Sequence, residues 1–423
     1  MLFPDTKHPW DSKPLGELFR LATVGVNPNN HPREEFHHYS IPAWDELGGP
    51  TLDLGKDIDS GKFLLTEGCI LVSKLNPQIS RVRQFSPPQD GRRACASTEI
   101  MAYVPRSEDS NLAFFTHYMR AERFRHNLIA AATGTTNSHR RVRPPQTLGW
   151  VIPVPPPEEQ AAIARILDAV DTAIERTNET VEKARVLDHS LLHALLDHGL
   201  SGKQKQTSKR PAHWHNRRVD EVAEVGSGVT LGKDVSGFKY VELPYLRVAN
   251  VQDGHLDLTT IKTVKVRLDE VERYRLEVGD VLMTEGGDID KLGRGTLWDG
   301  QIPNCLHQNH IFRVRANRAV LDPRFFAFVV ESDIAKSYFL RVAKRTTNLA
   351  STNKTQVRAF RFPVPPVPEQ ERIAEIVTAA KTKLQSLMQK QEAFQRLKTS
   401  LMHDLLTGKV RVNHFNLDRI PNL

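Results

Sequence analysis

At 423 residues the chain exceeds what one hydrophobic core usually organises, so two or more domains are expected. Its 58 basic against 50 acidic side chains leave a formal charge of +8, a moderate excess consistent with a polyanionic partner. No apolar run reaches the roughly 18 residues needed to cross a bilayer, Met1 to Asp11 lacks a signal-peptide core, and Cys69, Cys95 and Cys305 are too scattered for a disulfide framework or a CxxC metal site. A cytoplasmic location without membrane contact is the expectation.

The first globular stretch opens with Trp10 to Leu21 (WDSKPLGELFRL) and carries short β-prone runs at Phe63-Leu64-Leu65 and Ile70-Leu71-Val72 among Gly, Pro and Asn turns. A helical stretch follows near Leu112–Asn127, then a long helix, then a polar linker, Gln204 to Arg210. The second stretch repeats the order faintly. Trp214 to Val225 (WHNRRVDEVAEV) echoes the opening, and Gly279-Asp280-Val281-Leu282 echoes Gly68-Cys69-Ile70-Leu71. A β-prone run at His310–Val314 and a helical stretch over Pro323–Ala343 then lead to a second long helix.

The two long helices are an internal repeat, and the repeat decides the architecture. Pro153-Val154-Pro155-Pro156 recurs as Pro363-Val364-Pro365-Pro366, and the match continues without a gap. Glu159-Gln160 meets Glu369-Gln370, Ile163-Ala164 meets Ile373-Ala374, Leu187 meets Leu397, Ser190-Leu191 meets Ser400-Leu401, and His193 meets His403. Prolines open each copy and glycine follows its end, at Gly202-Lys203 and Gly408-Lys409. Steps of three and four place Ile163, Ile166, Val170, Ile174, Leu187, Leu191 and Leu195 on one seam. Ile373, Ile376, Leu384, Leu387, Leu397, Leu401 and Leu405 form the other, with polar Thr177 and Gln391 able to fix register. Each rod of about forty residues spans roughly 60 Å, and their shared length predicts mutual pairing.

The PVPP-x-x-EQ starts, the LL-x-GK end and the duplicated layout resemble the specificity subunits of type I restriction–modification systems. Ser73-Lys74-Leu75-Asn76-Pro77 and Leu282-Met283-Thr284-Glu285-Gly286-Gly287-Asp288 carry the same resemblance, as do the loops Thr133–Asn137 and Thr346–Asn348. The resemblance implies an α+β chain with two target recognition domains, residues 1–150 and 204–360. Two antiparallel coiled-coil helices, 151–203 and 361–410, separate them with pseudo-two-fold symmetry, and a tail, 411–423, follows. It further implies double-stranded DNA with a bipartite site as target, two methylation subunits docked on the helices, and nuclease-translocase subunits in the full complex. No cofactor is expected in this chain; S-adenosylmethionine belongs to the methylation partner.

Reading a duplex requires donors and acceptors on loops together with cations for phosphates. The first region offers Lys74, Asn76, Arg81, Arg83, Arg92, Arg93, Thr135, Asn137, Ser138, Arg140 and Arg141. The second offers Thr284, Glu285, Asp288, Lys291, Arg294, Lys344, Arg345, Thr346, Asn348, Asn353 and Lys354. Each taken singly is equally a solvated charge or a turn former.

Catalytic motifs are not found. Asn76-Pro77-Gln78-Ile79 lacks the second proline and the aromatic of an adenine methyltransferase site, and no GxxxxGK[ST] phosphate loop occurs. Cys305, His307 and His310 lack a fourth ligand at metal spacing, and His37-His38 reads as a surface turn. The expectation is a non-catalytic DNA-reading subunit; the alternative is a coiled-coil DNA-binding scaffold without a modification partner.

Overall fold

A computed structural model of the chain describes residues 9–134, 139–201, 210–288, 292–345 and 349–412. It is an α+β protein that divides into two compact units, Met1–Glu179 with Gln389–Leu423, and Thr180–Met388. Each unit combines one globular region with one half of each long helix.

The first unit begins with a short strand, Asp11–Pro14, paired antiparallel with Val151–Val154, which carries the start of the repeat. Prolines are tolerated because this is a two-stranded ribbon, where a missing N–H breaks no central ladder. A four-stranded antiparallel sheet follows in the order Phe19–Leu21, Ile100–Pro105, Cys69–Ser73, Val82–Phe85. Helices α1 (Leu112–Arg120) and α2 (Glu122–Ala131) cover it, burying Phe114, Phe115, Met119 and Phe124 against Phe19, Ile70 and Tyr103. A second sheet of five strands runs Gly25–Val26, Lys62–Leu65, Arg93–Ala96, Glu35–Tyr39, Thr51–Leu54. His37 and His38 therefore belong to an inner strand, not the expected surface turn; buried Phe36 pins that strand, and the imidazoles pair with Asp90 and Asp53.

The second unit repeats the frame. Its ribbon pairs His215–Arg218 with Arg361–Val364, and its four-stranded sheet runs Ala223–Ser227, Ile311–Ala316, Asp280–Thr284, Gly295–Leu297. Long helix α3 (Pro157–His198) precedes this unit's sheet, which is covered by α4 (Pro323–Glu331) and α5 (Asp333–Val342). Long helix α6 (Val367–Leu406) completes the set. The helical stretches expected as continuous are broken pairs in both units, because Ala121 and Ser332 adopt extended backbone between the two helices. In place of the five-stranded sheet this unit has three strands, Lys262–Arg267, Tyr240–Leu246 and Leu306–His307. The common frame is thus shared and the added β-layer differs.

The repeat's Glu-Gln pair ties each long helix to its frame. Gln160 accepts from Asn111 N at 3.0 Å and donates to Pro155 O at 2.9 Å; Gln370 does the same with Asp322 N and Pro365 O at 2.8 and 2.7 Å. Asn111 and Asp322 are the N-caps of α1 and α4, so one amide fastens two helix starts. Glu159 accepts from the Trp10 indole at 3.0 Å and from Arg411 at 2.8 and 2.9 Å. Glu369 accepts from the Trp214 indole at 3.2 Å and from His213 at 2.8 Å.

Within each unit the halves of α3 and α6 run antiparallel. Asp171 meets Lys398 and Asn178 meets Gln391 in the first unit; Arg185 meets Met388 and Asp188 meets Lys381 in the second. Ile163, Val170, Ile174, Leu195, Ile373 and Leu405 are buried, and Ile166, Leu191, Ile376, Leu384, Leu387 and Leu401 are half-buried. Leu187 and Leu397 depart from the expectation, at 65% and 45% exposed. Their next neighbours in sequence, Asp188 and Lys398, face the partner helix instead, in ion pairs with Lys381 and Asp171 respectively. Gln391 does bond across the helices, to Asn178 at 2.7 Å, whereas the Thr177 hydroxyl donates to Ala173 O in its own helix.

Charges at equivalent repeat positions are inverted. Asp171 is held by Lys398 at 2.5 Å and by Arg120, the last residue of α1, at 3.6 Å. Lys381 is held by Asp188 at 3.5 Å and by Glu331, the last residue of α4, at 2.6 Å. The two triads match position for position with every sign reversed.

Candidate nucleic-acid interface

In the first unit the segment after strand Cys69–Ser73 is laid against the segment around Arg141. Leu75 bridges Arg141, which also bridges Thr133. Asn76 N donates to Arg140 O at 2.9 Å and Val142 N to Lys74 O at 3.0 Å. Asn76 has a left-handed φ of 46°, a conformation asparagine tolerates, and turns the chain at this edge. Lys74, Asn76, Arg140 and Arg141 are thereby brought together from segments far apart in sequence. Arg140 reaches the Ile129 and Ala132 carbonyls, capping the end of α2, and Arg141 pairs with Glu99 at 3.0 Å. Thr135, Asn137 and Ser138 lie outside the described residues.

The other first-unit candidates are placed elsewhere. Arg81 is 6% exposed and makes two bonds to Asp45, at 2.6 and 2.7 Å, which hold that carboxyl below its usual range. Arg93 makes a two-bonded pair with Glu34 at 2.6 and 2.5 Å and lies over Phe36. Arg92 joins Glu35 and Asp90 on the five-stranded sheet, and Arg83 is half-buried near Gly49. Arg81 and Arg93 therefore hold loops through carboxylate forks, a geometry that commits guanidinium donors within the protein.

In the second unit the corresponding edge is a small antiparallel sheet, ordered Gly286–Asp288, Leu349–Ser351, Lys344–Arg345. Gly286 passes so close to its neighbour that a Cβ would lie 2.8 Å from Ala350 O, which explains the glycine. Thr352 N and its hydroxyl both donate to Glu285 O, at 2.7 and 3.0 Å, and the Glu285 carboxylate meets His310 at 2.5 Å. Asn353 caps the helix Lys354–Ala359 in a reciprocal capping box with Gln356. Thr284, Glu285, Asp288, Lys344, Arg345, Asn353 and Lys354 thus converge on one edge. Lys344 and Arg345 are exposed, and burial together with nearby Arg358 pulls the Lys354 ammonium below its usual value. Arg294 joins the same edge through its backbone, where Thr284 N donates to its carbonyl at 3.0 Å, while its guanidinium turns to Gln252 at 2.7 Å. Lys291, Thr346 and Asn348 lie outside the described residues.

Cys305, His307 and His310, close in sequence, have separate surroundings. Burial pushes the Cys305 thiol up to about 12. His307 is buried with Nδ1 at 3.1 Å from Tyr274 O, and burial with nearby Arg313 depresses it to about 4.

One basic surface escaped the sequence reading. On the three-stranded sheet Lys262 and Lys265 are exposed, Lys265 lies 5.3 Å from the Tyr240 ring, and Arg267 lies 3.9 Å from the Phe238 ring. Phe238 and Tyr240 are about half exposed beneath these cations. The alternation in Lys262–Arg267 (KTVKVR) was the available signal: period-two strand geometry puts Lys265 and Arg267 on one face.

Comparison with known proteins agrees with this architecture. Residues 211–393 match the family model of the type I restriction modification DNA specificity domain. The chain is 25% identical over 210 residues to the putative type I restriction enzyme MjaX specificity subunit of Methanocaldococcus jannaschii, covering 49% of each. It is 24% identical over 267 residues to the EcoKI specificity subunit of Escherichia coli, covering 62% of this chain and 56% of that one. The matches thus span about half the length of these curated relatives. The type I restriction-modification S subunit from M. genitalium shares the fold, with a TM-score of 0.57 at 15% identity over 96% of this chain and 98% of that one. By its matched domain, its relatives and its fold, this chain is similar to the specificity subunits of type I restriction–modification systems, and residues 211–393 carry the DNA specificity domain of that family.

Proposed function

We propose that the chain reads a split DNA target, one half-site per unit, and carries no catalytic centre of its own. The observation that supports this reading is the duplicated edge. Lys74, Asn76, Arg140 and Arg141 in one unit, and Lys344, Arg345, Asn353 and Lys354 in the other, gather cations and amides beside the ends of the equivalent strands Cys69–Ser73 and Asp280–Thr284. Cations there would grip phosphates and set register, while amides and arginine forks would read base edges. Because the frame is common and the loops and added β-layers differ, the two half-sites would differ as well.

In this reading α3 and α6 set the spacing between half-sites and dock two methylation subunits, with nuclease-translocase subunits completing the assembly. S-adenosylmethionine would be bound by the methylation partner. The test is reconstitution with that partner, S-adenosylmethionine and duplex DNA, followed by methylome sequencing. Adenine methylation at a bipartite site is expected only in the mixture. Methylation by this chain alone, or an unchanged methylome when residues 1–150 are exchanged for those of a related chain, overturns the proposal. The scaffold alternative lacks a reason for two matched loop edges and predicts no dependence on half-site spacing.

A further inference from the structure

We propose that His189, His193 and Asp333 form a binding site for a divalent transition-metal ion of the zinc class, joining the second half of α3 to the start of α5. His189 and His193 are one helical turn apart on α3, so both imidazoles leave the same face. Their ring centroids are 4.4 Å apart. Asp333, the first residue of α5, brings a carboxylate oxygen to 3.2 Å from His193 Nε2. All three ligand atoms lie within 4.8 Å of one another.

A four-coordinate zinc holds N and O ligands at about 2.0–2.2 Å, which sets neighbouring ligand atoms roughly 3.3 Å apart. His193 and Asp333 already have that separation. His189 is exposed, so its side chain can rotate to close the remaining gap without disturbing a packed core. Two imidazoles and one carboxylate suit Zn2+, Co2+ or Ni2+, whereas Mg2+ and Ca2+ favour all-oxygen sets. His189 and Asp333 are both exposed, so solvent can supply the fourth ligand.

The site belongs to one unit only. At the matching repeat positions the first unit has Thr399 and His403, with Glu122 opening α2, so its second imidazole is missing. The ion would pin α5, whose end leads directly into Lys344–Arg345 at the candidate DNA edge. It would therefore stiffen that edge from a position that touches no DNA-binding candidate.

The experiment titrates Zn2+ into the full chain, free of any affinity tag, in competition with a chromophoric chelator at pH 7.5. One ion per chain is expected above the background of the 17 histidines. His189→Ala and His193→Ala should each weaken it roughly tenfold or more, since even outer-sphere partners of metal ligands are worth that much. Zn2+ should raise the melting temperature of the native chain and leave that of the His189→Ala/His193→Ala variant unmoved, and Mg2+ should do neither. Co2+ should give the visible absorption of a four-coordinate ion, lost in the same variant. The variant binding Zn2+ with native affinity and showing the native temperature response overturns the site.

Discussion

The inverted triads lead to a quantitative expectation. Lys398→Asp would set a carboxylate against Asp171 where a 2.5 Å ion pair now stands, with side chains only 24% and 22% exposed. Exposed pairs contribute about 0.2–1 kcal/mol, and this one, mostly screened from solvent, belongs at the upper end. A like-charge contact costs a similar amount, so the single substitution should destabilise the first unit by about 1.5–2 kcal/mol. For a unit of this size that lowers the melting temperature by roughly 3–8 °C. Adding Asp171→Lys and Arg120→Glu transplants the arrangement of Asp188, Lys381 and Glu331, and should restore stability to within about 0.5 kcal/mol. Calorimetry at 0.05 M and 1 M salt is the assay, because screening at high salt should shrink the single-variant loss. A triple variant no more stable than Lys398→Asp refutes the reasoning. The same signs bear on partner choice. Two first helices paired antiparallel would oppose Asp171 to Asp188, and two second helices Lys381 to Lys398, so only first with second brings opposite charges together.

Three further outcomes are expected. Burial works to raise the Glu159 carboxyl, but Arg411, the Val412 N–H and the Trp10 indole outweigh it and hold it below 4.5. A depressed carboxyl stabilises above its unfolded value and loses that contribution as pH falls through the folded one; Glu159→Gln should remove this acid dependence and cost about 1.5–3 kcal/mol at pH 7 in urea denaturation. His307, depressed to about 4 from 6.5, is neutral when folded, so the unfolded chain binds the extra proton between those values. Stability should therefore fall by up to about 3 kcal/mol as pH drops from 6.5 to 4, with His307→Asn flattening the curve; an unchanged slope counts against a buried neutral imidazole. Lys344→Ala with Arg345→Ala should weaken DNA binding by the assembled complex across all sequences and reduce the salt slope by about 2; anisotropy titrations with an unaltered slope would remove these residues from the interface.

Legibility in the sequence followed the range of the interactions. The duplicated helices could be read because helix starts, ends and seams are local and periodic: PVPP, Glu-Gln and the steps of three and four all act within a turn or two. The shared frame was visible for the same reason, in Trp10 and Trp214 and in the glycine-led strands at Cys69 and Asp280. The role of Glu159 and Glu369 was not, since each carboxylate receives an indole from a residue more than a hundred positions away. Seam positions at Leu187 and Leu397 were misread because an apolar pattern cannot register that Asp188 and Lys398 find opposite charges across the interface.

Candidate DNA contacts separate in the same way. Composition alone could nominate Arg81, Arg93 and Arg141 equally. Only the folded chain sets Asp45 on Arg81, Glu34 on Arg93 and Glu99 on Arg141, and leaves Lys344 and Arg345 exposed on a common edge with Asn353. A guanidinium advertises charge in the sequence but not the carboxylate it will meet, and that carboxylate is fixed by strand order and loop closure. The sequence by itself determined the duplication, the helices and their apolar faces, all products of neighbouring residues. Which cations remain free, which carboxylates are buried and where two histidines meet an aspartate were decided by tertiary structure, because each depends on groups that only the completed fold brings within a few ångströms.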